Sequence, residues 1–540
     1  MRALPKPSAL TSCEFWGAIL LTLFLVVVHT RLLLHAGGLW RDEVNSLYVA
    51  TTPTLKDFLD SLVFDPFPIL FVSVLRIWVV LGLGNSDFSL RLLGFLIGTS
   101  LVGTVWLSCR LIGKERAAPV WPLALFALNP LTIVEGDSLR GYGLGLIGIL
   151  LSFALVWRLT FRPWQTGTVV AATIAALIAV QSLYLSSLVV FAICVAAVAV
   201  AVKRKDWARA RAILAVGAIA ALSLLPYAGI LRRAHEQLAL QSNPKTVADE
   251  ARSLMSIFAS GKSGVAYVWM LIFACGLIPL LLPRSRRYLL ACIKNPSDEL
   301  LFTFIVVAVG AIATFGFLFS SGLSGSSYRR PLLAAASLAI QLAYTGLRRN
   351  PRAVVANLVG VGLVATTFVP AAYHRSQVRR TNCDLAAAAV AKAAHVDDFI
   401  VVMKFTHAVT FQRYYHGPAR WTSIPAVSDH KQHRWDLARA ALMSAAPIQD
   451  ILLRIEQELR AGHKVFLVGK FPRSEPDPLI VASPSQNPWR LEFYLDNWRR
   501  QVANLLRQHA VQCAQIPLNQ TQPVNPGENE ELFAFSEWRD

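Results

Sequence analysis

The stretch FWGAILLTLFLVVVHTRLLLHAGGLWRDEVNSLYVA, residues 15–50, joins a long apolar segment to an acidic pair. Its first part, 15–36, approaches the roughly 20 apolar residues that an α-helix needs to cross a bilayer. Basic residues precede it and no clear small-residue cleavage site follows, so we predict a retained signal anchor rather than a cleaved signal peptide. Asp42 and Glu43 are therefore predicted to lie just beyond the membrane, on the side opposite the N-terminus.

The composition of the whole chain is typical of a polytopic membrane protein. Of 540 residues, 54% are hydrophobic and only 16% are charged, against about a quarter charged in soluble proteins. The apolar residues form runs, from which we predict about eleven spanning helices, at 15–36, 92–110, 117–134, 143–160, 167–183, 184–202, 212–228, 265–283, 300–320, 331–347 and 353–372. The net charge of +19 lies largely in short loops, which favours membrane orientation over nucleic-acid binding.

Basic loops set the predicted orientation. Lys and Arg cluster in every second short loop, at Arg110–Arg116, Lys203–Lys205, Arg284–Arg287 and Arg348–Arg352. Such loops face the cytoplasm, so residues 373–540 are predicted to lie outside. The exception is PILFVSVLRIWVVLGL (68–83), which is short and contains Arg76, and which we interpret as an interfacial helix. If it spanned the membrane, every later assignment would invert.

The tail after the last predicted span has a different pattern. DDFIVVMKF (397–405) is a continuous β-branched run that is typical of a buried parallel strand. Residues 448–469 predict an amphipathic helix, a turn and a strand, and a helix near 492–508 precedes the strand-like VQCAQIPL. We therefore predict two domains: a membrane domain at 1–372, whose first outer loop is 37–91, and an extracytoplasmic α/β domain at 373–540.

Few side chains in the tail indicate a catalytic, metal-binding or disulfide-forming role. Cys383 and Cys513 could pair in an oxidising compartment or stay two free thiols, and the sequence leaves both open. His407 and His416 are interpreted as surface residues, because no metal-ligand spacing surrounds them.

Carboxylates and arginines gather on the predicted outer side. A carboxylate can act as general base on a hydroxyl, and an arginine can bind a phosphate group. Because nucleotide sugars are confined to the cytoplasm, transfer on the outer face would need a donor carried by a membrane lipid. The alternative is structural: solvated acidic loop residues, and arginines that reach lipid headgroups. The residues concerned are Asp42, Glu43, Asp65, Asp137, Arg91, Arg140, Arg329 and Arg330.

Four blocks carry a resemblance to a known family. LWRDEVNSLYVA (39–50), FDPFPILFVSVLRIW (64–78), DFSLRLLGFLIG (87–98) and NPLTIVEGDSLRGYGL (129–144) resemble, in order and spacing, lipid-dependent glycosyltransferases of the GT-C fold. The branch is that of the protein O-mannosyltransferases and aminoarabinose transferases, family 39. YRRPLLAAASLAI (328–340) is similar to a late Arg-containing segment of that family.

The resemblance implies roles for individual residues. In the family the Asp of the first-loop Asp-Glu pair is the presumed base, which corresponds here to Asp42 with Glu43 beside it. Further implied roles are donor-phosphate binding by Arg91, Arg140, Arg329 and Arg330, and substrate binding by Asp65, Tyr142, Tyr184 and Asp137.

Two departures from the family pattern concern histidine. Phe67 replaces the His of the Asp-x-His-Pro segment, and Leu183 precedes Tyr184 where a His is common. These departures leave open an altered acceptor or a divergent member with weak activity.

The resemblance implies a multi-pass enzyme of the inner (plasma) membrane. It would transfer a hexosyl or pentosyl group, with inversion, from a polyprenyl-phosphate-sugar lipid to a hydroxyl of a protein, lipid or glycan. No cofactor is required by the resemblance, although Asp42 and Glu43 could recruit a divalent metal. The alternatives are a lipid or solute transporter, which would place ionisable residues near the bilayer centre, and a catalytically inactive membrane scaffold.

Overall fold

A computed structural model of the chain describes residues 9–65, 67–113, 118–238, 246–259, 297–323, 325–347, 351–472 and 491–540. Within these residues, seven helices are long and apolar enough to cross a membrane. They are Ser12–His35, Asp87–Ile112, Tyr142–Phe161, Ser186–Lys203, Trp207–His235, Asp298–Ser321 and Arg352–Arg375. Each corresponds to a predicted span, so the polytopic helical architecture is confirmed.

The other predicted spans differ from this pattern. Residues 167–183 and 331–347 form single helices, Thr166–Ser182 and Arg330–Leu347, while 265–283 lies outside the described residues. The prediction of one helix over 117–134 is wrong: a π-helical segment, Pro122–Ala127, is followed by a separate short helix, Pro130–Gly136. Pro130 has no N–H to donate and disfavours helical geometry in the residue before it, which ends the first segment.

The α-helices of the described residues are numbered α1 to α20 in sequence order. The first half contains α1 Ala9–His35, α2 Arg41–Thr51, α3 Leu55–Ser61, α4 Ile69–Trp78, α5 Asp87–Ile112, α6 Pro130–Gly136, α7 Tyr142–Phe161, α8 Thr166–Ser182, α9 Ser186–Lys203, α10 Trp207–Leu222, α11 Ala228–Leu238 and α12 Val247–Ala259. The second half contains α13 Asp298–Ser321, α14 Arg330–Leu347, α15 Pro351–Arg375, α16 Cys383–Ala393, α17 Phe405–Tyr414, α18 Trp435–Leu442, α19 Gln449–Arg460 and α20 Leu491–His509.

The segment interpreted as interfacial forms α4, which continues as a π-helical turn to Leu83. It buries Phe71, Val72 and Leu75. Arg76 donates hydrogen bonds to the carbonyls of Ala50 and Thr52, at 3.3 and 2.8 Å. These bonds satisfy Nη1 of the guanidinium within the protein. The interfacial position of α4 stays a prediction.

Charged residues join the helices at one end of the bundle. Arg204, after α9, donates to Asp298 at the start of α13 at 2.7 Å, and Arg209 of α10 donates to the carbonyl of Thr160 in α7 at 2.7 Å. These are the ends that the basic loops assign to the cytoplasm. The first-loop acidic pair and the arginines at the starts of α5, α7 and α14 lie at the opposite end.

A five-stranded sheet forms the core of the tail. Its order is β2-β1-β3-β5-β4, with β1 Phe399–Val402, β2 Arg420–Ser423, β3 Val465–Val468, β4 Ala510–Ile516 and β5 Leu532–Trp538. The strands β2, β1 and β3 are parallel, and β5 and β4 add in antiparallel fashion. Every residue of β1 and β3 is buried, as continuous apolar runs predict for parallel strands covered on both faces. The predicted α/β character of the tail is confirmed, and its boundary at 373 and its location outside stay predictions.

The two tail cysteines are free thiols. Cys383 is buried at the start of α16, whereas Cys513 is exposed on the edge strand β4. Of the two alternatives that the sequence left open, the structure therefore shows two unpaired thiols.

Candidate active site

Two carboxylates and one arginine form the centre of the site. Asp42 lies in the first turn of α2, Asp65 lies in the loop before α4, and Arg140 lies just before α7. Arg140 Nη1 lies 3.2 Å from Asp42 Oδ2, and Arg140 Nη2 lies 3.3 Å from Asp65 Oδ1. One guanidinium therefore bridges two carboxylates that are 23 positions apart in the chain, as its planar fork allows.

The two carboxylates differ in exposure. The side chain of Asp42 is 27% exposed, whereas that of Asp65 is 1% exposed. Asp65 Oδ2 accepts a hydrogen bond of 2.6 Å from the Ser46 hydroxyl. Asp42 Oδ1 is bonded at 3.1 Å to the imidazole of His433, from the C-terminal domain. Of the two acids, Asp42 is the one that a substrate could reach.

Their environments also separate their pKa values. Burial raises the pKa of Asp65 above its ordinary value, and the opposing charge of Arg140 does not cancel that effect. Burial acts on Asp42 in the same direction, but Arg140 and His433 together outweigh it and hold the pKa of Asp42 well below its ordinary value. Asp42 is therefore ionised throughout the physiological range.

Glu43 is engaged in internal contacts. Its side chain is fully buried, and Oε1 accepts from Arg91 Nη1 at 2.8 Å and from the Leu139 N–H at 3.2 Å. Its Oε2 accepts from the Trp40 N–H at 3.2 Å, which caps α2. Arg91 also donates to the Gly38 carbonyl at 2.7 Å. Glu43 and Arg91 thus tie α2 to α5, and this geometry supports a positioning role beside Asp42.

Both positions where the family commonly has a histidine are apolar, and they meet. Phe67 and Leu183 belong to one buried cluster. The Phe67 ring lies 4.5 Å from the guanidinium carbon of Arg140 and packs edge-on against Tyr142, with ring centroids 4.9 Å apart. The two departures therefore form a single apolar wall beside Arg140, which desolvates the guanidinium and adds a cation–π contact.

Tyr184 lies next to this wall. Its ring packs edge-on against Tyr227 at a centroid distance of 5.6 Å. Its hydroxyl is buried and has no hydrogen-bond partner among the described residues. A buried hydroxyl without a partner is costly, so substrate binding by Tyr184 stays a prediction that this hydroxyl supports.

Asp137 lies apart from Asp42. Its Oδ1 is 2.7 Å from Nδ1 of His29 in α1, and both side chains are buried. The loop that carries Asp137 sits directly on α5 because Gly94 and Gly98 have no side chain. A Cβ at Gly94 would lie 2.0 Å from the Asp137 carbonyl oxygen. A substrate-binding role for Asp137 stays a prediction; the structure places it in a buried pair between helices.

Gly94→Ala is therefore expected to destabilise the protein by about 1–3 kcal/mol, the range for inserting a methyl into a packed site. The contact is with backbone, which cannot rotate away. Thermal unfolding of the purified protein measures the effect. Gly103→Ala is the matched control on the same helix, since nothing lies within 4 Å of a Cβ there. Equal melting temperatures for the two variants would contradict the close packing.

The arginines at the start of α14 have different surroundings. Arg329 is paired with Glu250 of α12 at 2.6 Å. Arg330 is 1% exposed, donates to Asn129 Oδ1 at 3.4 Å, and has Nε 3.7 Å from Glu135 Oε2. Its Nε and Nη2 have no hydrogen-bond partner among the residues that the structure describes. Of the four arginines predicted to bind phosphate, Arg330 has two such nitrogens, whereas Arg91 and Arg140 have one each, their Nε.

Sequence reasoning missed two residues of the site. Arg380 follows α15, is 8% exposed and stacks over Trp40 at 4.7 Å; its Nε has no hydrogen-bond partner within the described ranges. His433 reaches Asp42 from the C-terminal domain. Neither lies in a recognisable motif, and each is separated from Asp42 by more than 300 positions, so no local pattern could have found them.

The interpretation of His407 as a surface residue is wrong. Its side chain is 14% exposed, and its Nδ1 lies 2.6 Å from Glu530 Oε1. Its Nε2 contacts Nη1 of Arg41 at 3.0 Å. His416 is exposed, as expected. Burial of His407 follows from docking of the C-terminal domain on α2, which the sequence does not reveal.

The carboxylates do not form a metal site. Among the described residues, no group of three or more His, Cys, Asp or Glu side chains could hold a metal ion. Asp42 is paired with Arg140 and His433, while Glu43 faces Arg91. The two acids therefore point to different cationic partners, and this donor set does not fit a divalent ion.

Two solved structures are similar to this chain. They are crystal structures of ArnT from Cupriavidus metallidurans, one bound to undecaprenyl phosphate and one in the apo state. The TM-score is 0.48 for both, with 15% and 14% sequence identity. The matches cover 83% and 84% of this chain and 92% of each ArnT chain. No protein-family model matches the sequence, and neither does any curated protein sequence.

Proposed function

We propose that this protein is a membrane glycosyltransferase that transfers a sugar from a polyprenyl-phosphate donor to an acceptor hydroxyl. The observation that carries the proposal is the ionised, partly exposed Asp42, held in place by Arg140 and His433 at the end of the helix bundle. The order and spacing of the first-loop motifs in the sequence support the same reaction.

In the proposed step, the acceptor hydroxyl gives its proton to Asp42 while its oxygen attacks the anomeric carbon of the sugar. The bond between that carbon and the phosphate oxygen breaks, and its electron pair stays on the lipid phosphate. Attack from the face opposite the leaving group inverts the anomeric centre. General-base assistance of this kind contributes roughly 10²–10⁴-fold.

The departing phosphate requires positive charge that is not already neutralised. Arg330 offers two buried guanidinium nitrogens without partners among the described residues, and Arg380 offers one. Burial raises the pKa of Glu135 above its ordinary value, and the nearby charges of Arg330 and Arg380 oppose that effect only in part. This one carboxylate therefore does not neutralise both arginines. A phosphate would supply the missing acceptors in charge-assisted hydrogen bonds. We propose these two arginines as donor-phosphate ligands, with Arg91 and Arg329 acting as structural ion pairs.

The proposed location is the non-cytoplasmic face of the inner (plasma) membrane. The alternation of basic loops supports this face, and so does the position of Asp42 at the opposite end of the bundle from Arg204 and Arg209. Hexosyl and pentosyl donors, and protein, lipid and glycan acceptors, are all compatible with this arrangement.

The experiment is transfer by the purified protein in liposomes. A set of short-chain polyprenyl-phosphate hexoses and pentoses serves as donors, and mass spectrometry detects the released polyprenyl phosphate and the glycosylated acceptor. Acceptors are identified by comparing envelope glycans and proteins from a deletion strain with those from its complemented parent. Solute or lipid flux without release of polyprenyl phosphate would contradict the proposal in favour of a transporter.

Arg330→Gln is expected to raise the KM for the donor by about 10- to 100-fold, since charged hydrogen bonds contribute about 1.5–3 kcal/mol. Initial rates against donor concentration measure the change. Arg252→Gln is the matched control, because the Arg252 side chain is 79% exposed. An unchanged KM in Arg330→Gln would remove this arginine from the donor site.

A further inference from the structure

The C-terminal domain is anchored next to the acidic pair by polar contacts. Arg413 Nη2 lies 2.6 Å from Asp87 Oδ1, and the Tyr414 hydroxyl donates to Asp87 Oδ2 at 2.5 Å. The same hydroxyl accepts from the Leu39 N–H at 2.7 Å. Asp87 begins α5 and Leu39 precedes α2, so α17 of the C-terminal domain joins the two elements that carry Arg91 and Asp42.

Further contacts fix the residue that precedes Asp42. The Arg41 N–H donates to Glu528 Oε2 at 3.2 Å, and Arg41 Nη1 donates to the Gly527 carbonyl at 3.2 Å. Val409 of α17 belongs to the same buried cluster as Leu47 of α2. The start of α2 is thus held by the C-terminal domain through main chain, side chains and apolar packing.

His433 brings this interface to the reacting carboxylate. Its backbone N–H donates to Asn45 Oδ1 at 3.0 Å, and Asn45 in turn donates to the Phe64 carbonyl at 3.1 Å. The imidazole is 7% exposed, with Nε2 3.1 Å from Asp42 Oδ1. Both the backbone and the ring of His433 are therefore placed by contacts with the first outer loop.

The direction of the His433–Asp42 bond follows from the chemistry of the two groups. An ionised carboxylate only accepts hydrogen bonds, so Nε2 of His433 carries the proton and donates it. With Arg140 on the other oxygen, the Asp42 carboxylate is fixed from both sides. Each oxygen keeps one further lone pair direction, which is enough for an acceptor hydroxyl.

We propose that the C-terminal domain contributes a residue to the active centre. This residue is His433, a positioning residue that orients the Asp42 carboxylate toward the acceptor hydroxyl. The inference rests on the proposed function for its catalytic consequence. Its structural half, the docking of His433 on Asp42, does not depend on the reaction.

The test compares three substitutions in the liposome transfer assay. His433→Ala and His433→Phe remove the donor and are expected to lower kcat on the order of 100-fold, the effect of misplacing a reacting group, with little change in the donor KM. His433→Gln places an amide N–H where Nε2 lies and is expected to restore most of the kcat. The control is His430→Ala, because His430 bonds to Ser423 within the C-terminal domain.

Two results would overturn the positioning role. One is a wild-type kcat in His433→Ala. The other is a kcat in His433→Gln as low as in His433→Ala, since the amide retains the proposed hydrogen bond.

A second measurement separates this inference from the proposed function. Diethyl pyrocarbonate modifies accessible imidazoles, and mass spectrometry reports each histidine. In the intact protein, His433 is expected to react far more slowly than the exposed His416, and Asp42→Ala is expected to increase its rate. Reaction of His433 as fast as His416 would overturn the docking even if sugar transfer is observed. Protection of His433 without transfer from any polyprenyl-phosphate sugar would contradict only the proposed function.

Discussion

Asp42→Asn is expected to reduce sugar transfer by about 10³-fold, within the range for loss of a general base. The amide is nearly the same size as the carboxylate, but it cannot accept the proton of the hydroxyl. Donor binding should change little, because the arginines proposed to hold the phosphate are not paired with Asp42. The measurement is single-turnover transfer at saturating donor, compared with the donor KM.

The control for this variant is Asp60→Asn, on the exposed surface of α3 in the same outer loop. It removes an equal charge and is expected to retain full activity. Because the Asp42 pKa lies well below its ordinary value, the acidic limb of the rate profile should not reflect its protonation above about pH 4. Unchanged transfer by Asp42→Asn would remove Asp42 from the mechanism.

Arg140→Met is expected to have the largest effect on stability, on the order of 3–5 kcal/mol. The substitution leaves the buried Asp65 without its cation, while Asp42 keeps its contact with His433. Transfer should be lost at the same time, because Asp42 loses one of the two groups that fix it. Thermal unfolding and transfer are measured on the same preparation.

A double variant distinguishes the two effects of Arg140. In Arg140→Met with Asp65→Asn, the buried charge is absent and most of the stability should return. Activity should stay low because Asp42 is still not held by the guanidinium. Arg232→Met, at an exposed arginine of α11, is the control for loss of one positive charge. Wild-type stability of Arg140→Met would show that Arg140 does not compensate Asp65.

Predictions from the sequence succeeded where the signal is local. The seven long apolar helices, the strand within 397–405 and the helix and strand within 448–469 follow from hydrophobic length and periodicity, which each segment carries by itself. The prediction failed at 117–134. The apolar composition of this segment suggested one helix, whereas Pro130 separates two shorter helical segments. The prediction also failed at His407, whose contacts are with Glu530 and Arg41, 123 and 366 positions away in the chain.

The role of each predicted arginine depends on whether it forms an ion pair with a carboxylate, which the sequence does not show. The sequence placed Arg91, Arg140, Arg329 and Arg330 in one group, as cations at one end of the bundle. In the structure Arg91 and Arg329 form close ion pairs with Glu43 and Glu250, at 2.8 and 2.6 Å. Arg330 lies 3.7 Å from Glu135 and has two nitrogens without hydrogen-bond partners in the described part of the chain. Which arginine stays available to a phosphate is set by the neighbours that folding brings to it.

By itself, the sequence determined the apolar helices, the α/β tail and the acidic pair that follows the first span. Each of these is fixed by residues close together in the chain. Only the tertiary structure decided that Arg140 bridges Asp42 and Asp65, and that His433 and Arg380 enter the site. Those contacts join segments separated by up to several hundred residues, and they form because helix packing and domain docking bring the segments to the same end of the bundle.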